Sequence, residues 1–393
     1  MKGLRVLHVI GGGDTGGAMT HLLPLLSALR RAGCDAQLLC LGRGGLAEEA
    51  SRRNLPVSVL PMARAWDPSI LLPLRRVLSR GPGDQASLRG EAADWDVVHT
   101  HGMRANLPVR LAVRARRRRP CVFTTVHSDL GLDYRSSLLA RVYRGIDRIT
   151  LPGVDTVICV SEALRSLLVE RGYPSRRLIT IRSGIESRDG QPVPRTLRGP
   201  DAAPPRVGTV TRLVPVKDLG LMLEVAARLR RTFAAIEVEV VGDGPERDRL
   251  YTEAGERGLD GVVRFAGRLD DVRQALAHMD VYLVTSLFEG GMSMSVLEAM
   301  AAGIPVVTTA AGGVAEAVQD GVTGFVVARG RDRDGLASSL AERVAALLAD
   351  SDLRARMGAA GARRIREEFS VEHAAAATLR AYRRCLAAHG RPE

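Results

Sequence analysis

Residues 285–309 read TSLFEGGMSMSVLEAMAAGIPVVTT, and this stretch decides the fold. The apolar run just before it, Val281–Val284, predicts a buried strand. Apolar residues then recur at helical spacing over 296–301, a glycine and a proline end that helix, and residues 304–307 predict a second strand. A strand, a glycine-containing loop, a helix and another strand are together the repeating unit of a parallel α/β sheet.

The loop of this stretch carries chemistry that suits a phosphate. Glu289, Gly290 and Gly291 follow the first strand, and Glu298 lies in the first turns of the helix. In a parallel sheet this loop lies at the carboxyl edge, where a helix N-terminus with unpaired N–H groups begins. A second interpretation stays open, because Ser295 and Glu298 have the spacing of a capping box, in which Glu298 only closes the start of its own helix.

The same unit opens the chain. Residues 4–10 predict a strand, residues 11–17 are a glycine-rich loop, and apolar residues over 19–29 mark one face of a helix. Strand and helix signals then alternate, which is typical of a doubly wound parallel sheet. The further strands predicted in this half are 37–41, 57–60, 96–100, 121–126 and 154–160.

A linker divides the chain. Residues 183–205, SGIESRDGQPVPRTLRGPDAAPP, are rich in proline, glycine and charge and have no periodicity. A chain of 393 residues has room for two domains with a core each. Strand signals return at 207–211, 238–241 and 262–267. We therefore predict an α/β protein with two Rossmann-like, doubly wound domains, 1–185 and 206–370, joined by a linker at 186–205.

Two cations follow the first strand of the second half. Arg212 ends that strand, and Lys217 lies five residues further on. A guanidinium and an ammonium at the carboxyl edge of a sheet can hold two phosphates without a metal ion. Arginine supplies nearly all the positive charge of this chain, with Lys2 as the other lysine, so a lysine at 217 stands out. Two solvated loop cations are the alternative.

Three histidines end two of the predicted strands: His99, His101 and His127. A histidine at a strand end is more often structural than catalytic, and we interpret His99 in that way. A zinc site on the three is possible geometry, since alternate residues share a strand face, but no Cys or Asp cluster supports it. The Asp94-Trp95-Asp96 segment starts a strand, so we interpret it as structural and not as a metal-binding DxD motif.

These segments resemble family 4 of the glycosyltransferases, retaining nucleotide-sugar enzymes of the GT-B fold, with two Rossmann-like domains and a cleft. The family signature has two glutamates separated by seven residues. Here Glu289 and Glu298 are separated by eight, Gly290 stands where the acid is expected, and we interpret one loop glycine as an extra residue. Other matching segments are HTHG (99–102), TTVHS (124–128), ITIRSGIE (179–186), GTVTRLVPVKDL (208–219), GGVAEAV (312–318) and GVTGFVV (321–327).

The resemblance implies a role for each site residue. Arg212 and Lys217 would hold the donor pyrophosphate, Glu298 would hold the ribose hydroxyls, and the base would lie near Gly267. The reacting centre would be surrounded by His127, Glu289 and the Gly16–Gly17 loop. The remaining donor contacts would come from Gly290, Gly291, Met292 and Ser293. The first domain would face the acceptor, the second would bind the donor, and the last helix, within 371–393, would pack back on the first domain.

The implied activity is a metal-independent, retaining transfer of a hexose-type sugar from a nucleoside diphosphate to a hydroxyl group, without a cofactor. The acceptor would be a glycan, a lipid-linked molecule or a small molecule, as in glycan, glycolipid or polysaccharide biosynthesis. Two alternatives stay open: a nucleotide-sugar epimerase on the same fold, and a nucleotide-sugar-binding protein without catalysis. A Rossmann oxidoreductase is disfavoured because no clean dinucleotide fingerprint is present.

Charge and cysteine content bear on partners and location. The net charge of +12 favours anionic partners, of which we expect nucleotide phosphates and not nucleic acid. The basic run 116–119 and the segment 66–78 could lie on an anionic membrane, although a cationic helix end would also explain the run. Five scattered cysteines, no apolar run of ~20 residues and an N-terminus unlike a signal peptide predict a cytoplasmic protein, with peripheral contact at the inner membrane face as an option.

Overall fold

The computed structural model describes residues 3–12, 17–62, 64, 67–80, 94–114, 118–128, 137–186, 204–269 and 271–390. The chain divides into two compact units. Unit 1 comprises Met1–Glu186 together with Val371–Glu393, and unit 2 comprises Ser187–Ser370. Each has its own hydrophobic core, as the two separate stretches of strand and helix signals require.

Unit 1 is built on a seven-stranded parallel sheet with the strand order β3-β2-β1-β4-β5-β6-β7. The strands are β1 Arg5–Ile10, β2 Asp35–Cys40, β3 Val57–Val59, β4 Val97–His101, β5 Cys121–Val126, β6 Thr156–Cys159 and β7 Leu178–Thr180. The helices are α1 Gly17–Arg31, α2 Gly45–Arg52, α3 Leu71–Arg80, α4 Met103–Arg114, α5 Ser137–Thr150, α6 Glu162–Glu170 and the last helix of the chain, α14 Val371–Ala388.

Helix α14 belongs to the core of unit 1. It packs against α1 and β5, and Val371, Leu379 and Tyr382 lie in the same buried cluster as Leu22, Leu26 and Phe123. The other face of the sheet packs on α3 and α4 through a second cluster that contains Val98, Val109 and Leu74. Both faces of the sheet are therefore covered, which explains why its central strands read as nearly continuous apolar runs.

Unit 2 is built on a six-stranded parallel sheet with the strand order β10-β9-β8-β11-β12-β13. The strands are β8 Arg206–Val210, β9 Glu237–Val241, β10 Val263–Gly267, β11 Val281–Val284, β12 Val306–Thr309 and β13 Gly324–Val327. The helices are α7 Leu219–Thr232, α8 Arg247–Glu256, α9 Val272–Ala277, α10 Met294–Ala301, α11 Gly313–Ala317, α12 Arg333–Ala349 and α13 Ser351–Glu368.

The structure confirms the predicted pair of doubly wound parallel sheets, and most strand bounds agree within two residues. Strand β7 was not among the predicted strands, because its three residues give too short a run to stand out. In each sheet the strand order reverses once, between β1 and β4 in unit 1 and between β8 and β11 in unit 2. Loops leave such a switch point in opposite directions, and the crevice between them is where open α/β sheets bind ligands.

Candidate active site

The switch point of unit 2 brings together the loops that follow β8 and β11. The Leu287 N–H donates to the Val216 carbonyl at 2.8 Å, and the Thr285 hydroxyl donates to the Lys217 carbonyl at 3.1 Å. The two loops are thus held together by backbone and side-chain hydrogen bonds although about seventy residues separate them in the chain. The predicted phosphate-binding and glutamate-bearing segments therefore form one site.

An ion pair lies at the centre of this site. Lys217 Nζ is 2.5 Å from Glu289 Oε1, and only 13% and 11% of the two side chains is exposed. The Ser286 hydroxyl donates to the same oxygen at 2.6 Å. Both residues line a pocket whose other walls are Thr209, Val210, Thr211, Leu219, Tyr282, Val284, Thr285, Ser286 and Ser293. A cation and a carboxylate are therefore presented side by side in a largely polar pocket.

Asp218, the residue after Lys217, is held in place by two arginines. It has a left-handed backbone conformation (φ 46°), and its carboxylate accepts from Arg329 at 2.9 Å and from Arg333 at 3.0 Å. Arg329 also donates to the Thr285 carbonyl at 3.1 Å, so it links the two loops. A strained residue held by charged neighbours is common at functional sites. Sequence reasoning missed Asp218 and Arg329; a non-glycine residue at such a φ has no signal in a single sequence.

The Glu289 loop rests on a glycine turn. The Gly313 N–H donates to the Glu289 carbonyl at 2.9 Å. At Gly312 (φ 57°) a Cβ would lie 2.2 Å from that same carbonyl oxygen, so a larger residue would displace the loop. The segment that resembles the family pattern at 312–318 thus holds the backbone of Glu289, even though the spacing from Glu289 to Glu298 differs by one residue.

The capping-box interpretation of Glu298 is wrong. Helix α10 begins after Ser293, which is its N-cap and makes no side-chain cap hydrogen bond, so Ser295 is already inside the helix. The Ser295 hydroxyl donates to the Val210 carbonyl at 2.8 Å and lies 2.8 Å from the hydroxyl of Tyr282. It joins α10 to β8 instead of capping, and Glu298 is left available for another role.

Glu298 has an environment that perturbs its ionisation. Burial and the nearby negative charge of Asp271 raise the pKa of Glu298 to about 7, while Arg273 opposes the shift. Arg273 itself is held by the Asp271 carboxylate at 2.7 Å. Glu298 does not line the pocket around Lys217 and Glu289, but a carboxyl group with a strongly perturbed pKa is a candidate for ligand binding.

The other residues predicted to contact the donor differ in their surroundings. Arg212 is exposed, does not line the pocket, and its guanidinium has no partner within the described ranges. Met292 is buried, and Gly290 and Gly291 are half-buried. Gly267 ends β10 with φ 69°, and its carbonyl accepts from the Gly242 N–H. In unit 1, Gly17 begins α1, whereas Gly16 lies outside the described residues.

The histidines of unit 1 form a cluster larger than predicted. His99 is fully buried, and its two ring nitrogens lie 2.5 Å from the Tyr382 hydroxyl and 2.7 Å from the Thr125 hydroxyl, which confirms its structural role. His101 lies between His8, at 3.0 Å, and His127, at 3.3 Å. His127 follows β5 and is half-buried.

The structural interpretation of Asp96 is also confirmed, because its carboxylate accepts from the Arg5 N–H at 3.0 Å.

Two groups of side chains in the described part of unit 1 could hold a metal ion. One is His8, His99 and His101, and the other is Cys121, Cys385 and His389; in each, the ligand atoms lie within 4.8 Å of one another. The first group differs from the predicted set, in which His127 took the place of His8. Its ring nitrogens already have hydrogen-bond partners, so a metal ion would have to displace them.

Comparison with known proteins agrees with this architecture. The family model described as Glycosyltransferase Family 4 matches residues 15–188, and the one described as Glycosyl transferases group 1 matches residues 198–364. A GDP-mannose-dependent alpha-(1-6)-phosphatidylinositol monomannoside mannosyltransferase of Mycobacterium tuberculosis is 30% identical over 298 residues, which cover 72% of this chain and 75% of that protein. The glycogen synthase of Mycobacterium tuberculosis is 29% identical over 386 residues, covering 93% and 91%.

Solved structures show the same fold. Anabaena HepE in complex with UDP has a TM-score of 0.75 at 20% identity, covering 96% of this chain and 99% of that one. The two parallel-sheet domains, each with its switch point, therefore define a GT-B fold. The chain belongs to the family 4-like glycosyltransferases, with a Family 4 domain followed by a group 1 domain.

Proposed function

We propose that this glycosyltransferase transfers a hexose-type sugar from a nucleoside diphosphate to a hydroxyl acceptor, with retention of anomeric configuration and without a divalent metal ion. The observation that carries the proposal is the Lys217–Glu289 pair at the switch point of unit 2. A half-buried ammonium there is positioned to meet a diphosphate, and the adjacent carboxylate can accept from sugar hydroxyls. Because Glu289 Oε1 is already engaged, Oε2 is the oxygen proposed to face the sugar.

The proposed cations act chiefly on the leaving group. When the bond between the anomeric carbon and the phosphate oxygen breaks, negative charge grows on the nucleoside diphosphate. Lys217, and Arg212 from its exposed position, would stabilise that charge more than they stabilise the intact donor. The acceptor oxygen would attack on the face that the diphosphate leaves, and its proton would pass to a phosphate oxygen. His127 is proposed to contact the donor sugar.

The chemistry of the donor draws support from the relatives. Anabaena HepE binds UDP, and the mycobacterial mannosyltransferase is named for GDP-mannose. The names of the relatives also support a glycan or a glycolipid as the product class. A nucleotide-sugar epimerase or a non-catalytic binder has no observation of its own in favour, so glycosyl transfer is the function that the site supports best.

Thermal stability should report donor binding directly. A panel of UDP-, GDP- and ADP-sugars at about 100 times the dissociation constant should stabilise the protein by about 2.7 kcal/mol for the matching base, and EDTA should leave that shift unchanged. Glu298→Gln tests the site itself: this variant should keep the fold but show a smaller stabilisation by the matching nucleotide sugar. If no nucleotide sugar shifts the transition, or if the shift requires added manganese, the proposal is wrong.

Donor affinity should depend on pH through Glu298. The ribose hydroxyls donate to the ionised carboxylate, and the ionised fraction falls as pH drops below the raised pKa of about 7. Binding of the nucleoside diphosphate should therefore weaken about tenfold between pH 8 and pH 6. Calorimetric binding measurements on wild type and Glu298→Gln at several pH values distinguish protonation of Glu298 from protonation of the phosphate of the ligand. An identical pH slope in both proteins would contradict the assignment.

Location and membrane contact stay predictions. No helix within the described ranges is both long and apolar enough to cross a membrane. Helices α3, α4 and α5 pack side by side in unit 1 and carry the exposed apolar residues Leu72, Leu111 and Ile149; Arg75 and Arg76 of α3 are exposed as well. Apolar and basic groups on one set of helices suit an anionic lipid surface. Residues 116–117 of the basic run and Trp66 lie outside the described residues. Cosedimentation with anionic vesicles would test the contact.

A further inference from the structure

Six side chains in unit 1 form a continuous hydrogen-bonded series, which we call the buried relay. In order they are Thr125, His99, Tyr382, His8, His101 and His127. The successive distances are 2.7, 2.5, 3.4, 3.0 and 3.3 Å. Strand register explains the assembly: His8 pairs with His99 and His101 pairs with Thr125 across neighbouring strands, so these side chains share one sheet face.

Every member of the relay is neutral near pH 7. Burial, with a smaller contribution from His21, lowers the pKa of His8 to about 3, and the same two causes lower the pKa of the half-buried His127. Burial first, and neighbouring histidines second, lower the pKa of His99 and of His101 well below the usual range. Burial also raises the pKa of Tyr382 far above its ordinary value, so its hydroxyl keeps its proton. Each imidazole therefore has one N–H donor and one acceptor nitrogen.

All the hydrogen bonds of such a series can form together in only two arrangements, which differ in the direction of donation. If His99 donates to Tyr382, then Tyr382 must donate to His8, His8 to His101, and His101 to His127. If His127 donates to His101 instead, the direction of every hydrogen bond reverses, and the last bond is donated by His99 to the Thr125 hydroxyl oxygen. Because each ring nitrogen inside the series has a partner, choosing the direction of one bond fixes the tautomer of every ring.

The Thr125 end decides between the two directions. Thr125 is buried, and across the described residues its hydroxyl has His99 Nε2 as its single hydrogen-bond partner. In the first direction the Thr125 hydroxyl donates to His99, and the one donor left over is the Nδ1–H of His127, which is only half-buried. In the reverse direction its proton would be buried without an acceptor, which is costly. The first direction is therefore favoured.

We propose that the buried relay holds His127 with its proton on Nδ1, so that His127 offers an N–H donor to an oxygen of the donor sugar. This inference rests on the proposed function. His101 donates to His127 Nε2, and Nδ1 has no partner among the described residues. Tyr382 and Thr125 are then positioning residues: they touch no substrate but set which nitrogen of His127 carries the proton. The last helix of the chain thereby acts on the site through the Tyr382 hydroxyl.

The test reads the tautomer without any substrate. Long-range ¹H–¹⁵N spectra of ¹⁵N-histidine-labelled protein, assigned with His127→Gln, should show His127 as the neutral Nδ1–H form at pH 7. Tyr382→Phe keeps the ring packing against Phe123 but removes the hydroxyl that joins His99 to His8. In that variant His127 should change to a mixture of both tautomers. Turnover should fall about twofold to tenfold, in proportion to the lost Nδ1–H fraction, with unchanged nucleotide affinity.

Tyr173→Phe is the matched control. Tyr173 is in the same unit, and its hydroxyl donates to Asp147 instead of to a histidine. Removing this hydroxyl should leave the His127 spectrum as in wild type. The proposal is overturned if wild-type His127 carries its proton on Nε2, if Tyr382→Phe leaves its spectrum unchanged, or if His8, His99 and His101 bind stoichiometric zinc. Failure of glycosyl transfer itself would show in activity alone, because the spectra are recorded without donor.

Discussion

Lys217→Ala should lower the rate of sugar transfer about a hundredfold, the loss typical when one preorganised charge contact to a developing anion is removed. In the structure this half-buried lysine is ion-paired with Glu289 at the switch point of unit 2, where the diphosphate is proposed to lie. Affinity for the free nucleoside diphosphate should fall as well. Steady-state transfer and calorimetric binding should be measured on the same preparations.

Three variants separate this effect from simple loss of an ion pair. Arg231→Ala removes an exposed cation at the far end of α7, about 18 Å along the helix from Leu219, and should leave transfer unchanged. Glu289→Gln breaks the same ion pair but keeps the cation, so it should retain nucleotide affinity. Lys217→Arg should restore only part of the transfer rate, because the larger planar guanidinium cannot replace a compact ammonium at this turn. If Lys217→Ala keeps more than about half the wild-type rate, Lys217 does not hold the diphosphate.

The role of Arg212 can be measured in the same assays by combining Arg212→Ala with Lys217→Ala. If Arg212 and Lys217 act as one clamp, the double alanine variant should lose less than the product of the two single losses. Arg212 is exposed and unpaired within the described ranges, so its charge is free to meet a ligand. Fully independent losses would show that the two cations hold separate groups.

His127→Ala should lower transfer about a hundredfold while nucleotide affinity changes little, because His127 is proposed to contact the sugar and not the diphosphate. His373→Ala, on the exposed face of α14 in the same unit, is the matched control and should behave as wild type. Equal losses of nucleotide affinity and transfer in His127→Ala would instead assign His127 a structural role.

The order of elements could be predicted because each strand and helix has a local signal. The periodic apolar residues of β11 and α10 and the unusual lysine at 217 are visible in the sequence alone. The pairing of Lys217 with Glu289 could not be predicted from them, since it depends on β8 and β11 being neighbours in the sheet. The support from Asp218 and Arg329 likewise depends on contacts across 111 positions of sequence.

The histidine cluster likewise contains some residues that the sequence predicts and others that only the fold brings together. His99, His101 and His127 could be singled out because they end predicted strands. His8 could not, because its place beside His99 follows from the register of β1 against β4. Tyr382 lies 283 positions from His99, and only the return of α14 to unit 1 brings its hydroxyl there. The capping-box interpretation failed because Ser293, two residues earlier, starts the helix.

The most direct test of the proposed function is the stereochemistry of donor cleavage with water as the acceptor. The donor selected by the stability panel is incubated with enzyme and EDTA, and ¹H and ³¹P NMR follow the first sugar released together with the nucleoside diphosphate. The proposal predicts release of the diphosphate and a sugar that initially has the anomeric configuration of the donor, with both signals appearing about a hundredfold more slowly in Lys217→Ala. Release of the opposite anomer, or no cleavage unless a metal ion is added, would contradict it.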